Sequence, residues 1–161
     1  MNIQINSIDN TYCEQIIGLI LPIQQIEFNV PVTLNDQPDL LDIESNYHKD
    51  GGNFWGARYG EELVGTIAMI NTGHRASALR KMFVKKEFRG KEYGIAQRLL
   101  DTYIQFCRDN EITDIYLGTV DLLKAAHRFY EKNGFEKIAA DILPSYFPRM
   151  KADNIFYHLQ V

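Results

Sequence analysis

The chain has 161 residues, 45% hydrophobic and 24% charged, which is the balance of a globular protein and enough length for one domain with its own core. Its formal net charge is −4 and no basic block exceeds two adjacent residues, so no broad nucleic-acid footprint is visible. No run approaches the roughly 18 apolar residues of a membrane span, and Met1-Asn2 opens no signal peptide, so a cytoplasmic protein off the membrane is expected.

Residues 1–8 alternate Ile3, Ile5 and Ile8 and predict a first strand. Asp9-Asn10 breaks it, and Asn10 or Thr11 caps a helix carrying Ile16, Ile17, Ile20 and Ile23. Pro22 falls inside that pattern and calls for a kink or boundary near Leu21. Residues 27–37 have turn signals without periodicity and read as a loop. Pro38 opens a second helix with Leu40, Leu41, Ile43 and Tyr47, closed by His48 to Gly52. Three strands follow, Asn53–Tyr59, Glu62–Asn71 and Ser77–Val84, with turns at Gly60-Glu61 and 72–75 between them. Of the adjacent rings Phe54 and Trp55, one is expected in the core and the other along a cleft.

A basic turn, Lys85 to Tyr93, leads to a helix from Gly94 whose apolar stripe is Ile95, Leu99, Tyr103 and Cys107, widened by Leu100 and Ile104. Asp109 to Glu111 close it, and Ile112–Val120 is a buried strand. Asp121 is placed to cap a helix with Leu122, Ala126, Phe129 and Tyr130 inward, ended by Asn133-Gly134. Phe135–Ala140 and Ile155–Gln160 are the last strands, joined by a Pro-punctuated loop. Cys13 and Cys107 read as reduced core thiols on helices. His48 at a helix end, His74 in a turn, His127 on an outer helix face and His158 on the last strand show no metal-ligand spacing.

One stretch carries chemistry. Met82 to Val84 end a strand, Gly90 and Gly94 punctuate a basic turn, and a helix begins. The first N–H groups of a helix lack intrahelical partners and carry the positive end of its dipole, so this order makes an anion site. Arg89, Lys91 and Arg98 add mobile charge. The stretch has neither the GxxxxGK[ST] of a P-loop nor a three-glycine dinucleotide fingerprint.

Lys91-x-x-Gly94-x-Ala96 instead resembles the R/Q-x-x-G-x-G/A signature of the GNAT family of N-acetyltransferases. Ala126-x-x-Phe129-Tyr130-x-x-x-Gly134-Phe135 is similar to that family's second block. The resemblance spans essentially the whole chain, with its specific motifs at 82–100 and 123–135. It implies an α/β (α+β) fold, a mixed and mostly antiparallel sheet of about seven strands, with four helices on both faces. It implies an acetyl-CoA-dependent N-acetyltransferase, monomer or homodimer, that moves an acetyl group to a primary amine of a small molecule or peptide by direct attack in a ternary complex. A non-catalytic acyl-CoA-binding domain of the same fold is the alternative. No nucleic acid, membrane or metal enters that reading.

By the same resemblance, coenzyme contacts fall on Met82, Val84, Arg89, Gly90, Lys91, Glu92, Tyr93, Gly94, Ile95, Ala96, Ala126 and Phe129. Phe129 is better explained as core. Tyr130 matches the tyrosine that gives a proton to the departing coenzyme sulfur, and the first two helices form one wall of the acceptor site. Three departures stand out. Lys91 keeps charge but loses the bidentate fork of arginine, and Glu92, unfavourable beside a phosphate, is expected to point to solvent. Leu123 stands where members often carry an asparagine. The family's fourth-strand carboxylate has no counterpart. Its position falls near Ala78, and no acidic residue lies between Asn71 and Glu87. Either ordered water drains the amine's proton, or Glu27, Glu44 or Asp141 accepts it.

Overall fold

Short β-branched and aromatic runs separated by tight turns become strands, and the computed structural model, which describes residues 2–161, joins seven of them in one sheet. Met1, read from sequence as part of the first strand, lies outside the described residues. The strands are β1 (Ile3–Ser7), β2 (Asn53–Tyr59), β3 (Glu62–Gly73), β4 (Ala76–Val84), β5 (Asp114–Thr119), β6 (Glu136–Ile138) and β7 (Ile155–Gln160). Their spatial order is β1-β2-β3-β4-β5-β7-β6, and every neighbouring pair is antiparallel except β4–β5. The sheet is therefore mixed and mostly antiparallel, as expected.

Helices α1 (Cys13–Pro22), α2 (Ile95–Asp109) and α3 (Lys124–Lys132) and a fourth helical segment at 38–48 cover it. On one face α2 buries Ile95, Leu99, Leu100, Tyr103 and Cys107 against the sheet, and Tyr130 of α3 joins the same core. On the other face Ile16 and Ile20 of α1 meet Leu40, Ile43 and Tyr47. Strand alternation sends Trp55 to the first core, edge-on to Phe106 at 5.3 Å, and Phe54 to the second, edge-on to Tyr47 at 5.2 Å. Both rings are core, and neither lines a cleft. Cys107 is buried, which pushes its thiol up to about 12, while Cys13 is half-buried on the opposite face.

Several boundaries differ from the sequence reading. Asp9 rather than Asn10 or Thr11 caps the first helical turn, its carboxylate accepting from the Thr11 N–H at 3.0 Å. Pro22 does not end the helical path. The chain continues through Ile23–Glu27 in a wider turn, where the Phe28 N–H reaches the Ile23 carbonyl at 3.1 Å. The segment at 38–48 is a 3₁₀ turn (Pro38–Leu41) followed by a wide turn (Glu44–His48). This geometry buries Leu40, Ile43 and Tyr47 but leaves Leu41 59% exposed. Asp121 does not cap α3, which starts three residues later with Leu123 at the cap position, and Leu122 is exposed. Strand β6 is shorter than expected because Ala140–Ile142 turns away as 3₁₀. Among the described residues no helix is long and apolar enough to cross a membrane.

The feature that positions the site is a parting of strands. β4 and β5 pair only from Ala76–Asp114 to Leu79–Leu117. Beyond that point β4 runs on against β3, while Gly118 and Thr119 of β5 stay on β7. A bulge helps to turn β4 away: Ala68 faces Arg80 and Thr66 faces Phe83, leaving Lys81 and Met82 opposite a single residue. Lys81 takes φ +55°, a conformation that costs an L-residue about 1–2 kcal/mol. Its carbonyl is held by the Thr66 hydroxyl at 2.7 Å.

Candidate active site

The parted strands open a cavity of about 330 Å³. Met82 and Phe83 of β4, Gly118 and Thr119 of β5, and Ala126 and Tyr130 of α3 line one part of it. The opposite wall is made by Phe28 and Val30–Val32 from the loop after the first helix, with Gln37, Arg80, Lys81, Met150 and Asp153.

The turn between β4 and α2 has the geometry its glycines predict. Gly90 sits at φ +118° and Gly94 at φ +61°, so both need freedom that a Cβ removes. Gly94 is the cap of α2, and its carbonyl accepts the Arg98 N–H at 3.0 Å. That register leaves the N–H groups of Ile95, Ala96 and Gln97 without intrahelical partners. The charged side chains behave differently from expectation. Arg89 forms a two-pronged pair with Glu27, with Nη2 to Oε1 at 2.8 Å and Nη1 to Oε2, and also donates from Nε to the Val84 carbonyl at 2.8 Å. The guanidinium holds the Glu27 carboxyl below the usual carboxylate range. Arg98 donates to the Ile3 carbonyl at 2.9 Å. Arg89 and Arg98 are thus tied to the fold rather than mobile, though Arg98, like Lys91, is exposed. Glu92 is exposed, as expected.

The remaining residues assigned to the coenzyme separate by what their side chains touch. Met82 and Ala126 line the cavity, and Val84 is half-buried against the main core. The Tyr93 ring packs near Phe88 at 5.4 Å. The Ile95 side chain is buried in the core, so only its backbone faces the turn, and Ala96 beside it is half-buried. Phe129 packs beside Tyr130 with ring centroids 5.9 Å apart, on the edge of the core.

Tyr130 reaches the cavity from within an aromatic cluster, its ring 5.5 Å from Phe135 and 5.9 Å from Tyr157. Burial pushes its hydroxyl well above the ordinary tyrosine range, so it is a protonated donor at neutral pH. The helix that carries it is tied to β5 by His127, whose Nε2 lies 2.9 Å from the Val120 carbonyl. His127 was expected on the outer face; it is half-buried and closes this connection.

The opposite wall depends on a buried polar network. Lys81 Nζ donates to Gln37 Oε1 at 2.6 Å and lies 3.5 Å from Asp39 Oδ2. Asp39 also accepts the Tyr47 hydroxyl at 2.5 Å, and Gln37 donates to Gln24 at 2.6 Å. Burial lowers the Lys81 ammonium to about 8, against the opposing pull of Asp39. The network locks the wide turn after α1, the loop at 37–39 and the β4 bulge together.

Ala78 is buried in an apolar cluster with Phe147 and Phe156. Of the acidic candidates, Glu27 is tied to Arg89, Glu44 accepts the Asn10 N–H at 3.0 Å, and Asp141 is exposed in the Ala140–Ile142 turn. None of the three lines the cavity. The carboxylate that does, besides Asp36, which is held by its own turn at Thr33, is Asp153. It lies on the β5 backbone where that strand leaves β4: a Cβ on Gly118 would stand 2.4 Å from Asp153 Oδ2. Burial raises the Asp153 carboxyl above its ordinary value, while Arg80, Lys81 and Arg149 pull it down. Sequence reasoning missed it, yet a signal was present, because a glycine inside a strand marks close approach of another group.

Comparisons with known proteins agree with this geometry. Residues 19–135 match the model described as the acetyltransferase (GNAT) family. A solved GNAT-family acetyltransferase from Staphylococcus aureus Mu50 is 43% identical with a TM-score of 0.95, covering 99% of each chain. The PaiA N-acetyltransferase from Thermoplasma acidophilum, solved in complex with coenzyme A, shares the fold at 19% identity and a TM-score of 0.77, covering 100% of each chain. N-acetyltransferase 8F1 of Rattus norvegicus is 32% identical over 114 residues, which are 68% of this chain and 51% of that protein. The chain spans about half the length of curated relatives it matches. A cleft opened by parted β4 and β5 beside a glycine-capped helix, read together with these matches, makes the chain a member of the GNAT acetyltransferase family.

Proposed function

We propose that the protein is an acetyl-CoA-dependent N-acetyltransferase acting on a primary amine of a small molecule or peptide, with residues 1–161 as one catalytic domain. The observation that carries this reading is the parted-strand cleft with Tyr130 on its wall, together with the free N–H groups at the start of α2. The residues present fit the coenzyme: Gly90 and Gly94 leave a turn without side chains, and Ile95 to Gln97 offer N–H groups to a pyrophosphate. Because Arg89 and Arg98 are engaged elsewhere, backbone donors and Lys91 supply the attraction. Bound acetyl-CoA supplies a thioester, whose carbonyl carbon is the electrophile.

Within the cleft the chain's own groups have separable tasks. Tyr130 keeps its proton at neutral pH and can deliver it to a departing thiolate, whose thiol has a pKa near 8.5. The apolar wall at Phe28 and Val30–Val32 excludes water from the thioester. The placement of Tyr130 favours turnover over the alternative of a non-catalytic acyl-CoA binder, which has no use for a donor to sulfur. The test is thiol release from acetyl-CoA against polyamines, amino acids, aminoglycosides and peptides, with coenzyme binding followed by calorimetry. Amine-dependent thiol release supports the reading; tight coenzyme binding with no release for any amine supports the binder.

A further inference from the structure

Two opposite charges stand in the same cavity without neutralising each other. Arg80 of β4 and Asp153 of the loop before β7 both line it, and each feels the other's field. Among the described residues neither joins an ion pair within 4.0 Å. The neighbouring cation, Lys81, is taken up by Gln37 and Asp39. Among the described residues the Arg80 guanidinium donates only to the Met150 sulfur, a weak acceptor that leaves most of its donors free for another partner. Both side chains are half-buried at the cavity, where a ligand carrying the complementary charges can take the place of solvent on them.

We propose that Arg80 and Asp153 form a subsite for an acceptor that carries a carboxylate beside its amine, a free amino acid, with Arg80 holding the carboxylate and Asp153 receiving the ammonium. The inference rests on the acetyltransferase reading and names its acceptor class. A planar guanidinium matches a carboxylate through paired N–H donors. Asp153, fixed on Gly118 at the mouth of the parted strands, lies on the same cavity wall system as Tyr130.

The step balances as follows. Asp153 takes one proton from the ammonium. The freed lone pair forms a C–N bond to the thioester carbonyl carbon, and the C–S bond breaks. Sulfur leaves with a proton from Tyr130, which recovers one from the nitrogen through solvent. The proton on Asp153 returns to water, so one proton is released per amide formed. The groups facing Asp153 are Arg80 and Lys81 from β4, Arg149 from its own loop and Tyr130 from α3. Loss of Arg80 therefore also shifts the Asp153 limb of a pH–rate profile to higher pH.

The experiment sets amino acids beside their decarboxylated counterparts, glutamate with 4-aminobutyrate, phenylalanine with phenethylamine and lysine with cadaverine, as acceptors in the thiol-release assay. Wild type should prefer the amino-acid member of at least one pair by tenfold or more in kcat/KM, on the order expected for one charge-assisted contact. Arg80→Gln should erase that preference through KM, and Arg80→Lys should restore part of it. Asp153→Asn should lower kcat by roughly 10²–10⁴ and remove the acidic limb, and should raise KM through the lost ammonium contact. Equal or better turnover of every decarboxylated amine by wild type overturns the acceptor class and leaves the acetyltransferase reading intact. A retained kcat in folded Asp153→Asn overturns the role of that carboxylate. No thiol release with any amine, in protein that binds coenzyme A, overturns both readings.

Discussion

The turn into α2 draws its groups from one continuous stretch, residues 82–97, whereas the facing wall gathers Gln24, Gln37, Lys81, Met150 and Asp153 from segments far apart in the chain. The first region is backbone chemistry: its donors are N–H groups that any sequence with the right glycines presents. The second is side-chain chemistry assembled across segments: Lys81 is held by Gln37 and Asp39, and Asp153 lies against Gly118. The difference teaches where variation is tolerated. On the proposed function, the coenzyme common to the family is met by backbone and the acceptor by side chains that tertiary packing assembles.

Tyr130, which stands between the two regions, gives the largest expected effect. Tyr130→Phe keeps the ring packing and should lower kcat by roughly 10²–10⁴, with coenzyme affinity unchanged. Wild-type turnover in the folded variant would remove it from the mechanism. The dependence of the far wall on long-range partners is broken by Asp39→Ala, which strands the buried Lys81 ammonium and the Tyr47 hydroxyl. Urea unfolding should show a loss of about 3–5 kcal/mol. Adding Lys81→Met should recover most of it, and a double variant as weak as the single one would contradict the stranded-charge account.

The local character of the coenzyme side is probed by Gly94→Val. At φ +61° a β-branched residue is strained, and the turn should reopen at the helix cap. Calorimetry should show coenzyme A binding weakened more than about tenfold, or roughly 1.4 kcal/mol, in protein that still unfolds cooperatively. Unchanged affinity would move the pyrophosphate site elsewhere.

The smallest effect is on stability and sharpens the reading of Asp153. Its folded-state pKa is raised from 3.8 chiefly by burial, so the folded form binds the extra proton and the wild type loses stability as pH climbs through that raised value. Asparagine imitates the protonated form. Asp153→Asn should therefore match wild type in Tm below pH 3.8 and exceed it at pH 7, where the wild-type carboxylate is charged. A lower Tm at pH 7 would show the carboxylate to be a structural anchor.

How much was legible in the sequence follows the same division. Apolar periodicity by itself located α2 and the strands β2 and β7, because alternation and a four-residue stripe are local consequences of burying one face. Glycine positions located the turn into α2, since φ +118° and +61° exclude most side chains whatever surrounds them. A separate block, Ala126 to Phe135, pointed to Tyr130 through its motif. What sequence could not supply was the partner of each charge. Arg89 and Arg98 read as mobile cations, and only the folded chain shows Glu27, Val84 and Ile3 claiming them. Phe54 and Trp55 could not be assigned to sides, because alternation gives opposite faces but not which helix covers each. Asp153 was passed over for Glu27, Glu44 and Asp141 because nothing beside it in the chain marks a site. It becomes one only where β5 leaves β4 and Gly118 lets a carboxylate lie on the strand, a contact set by packing between segments thirty-five residues apart.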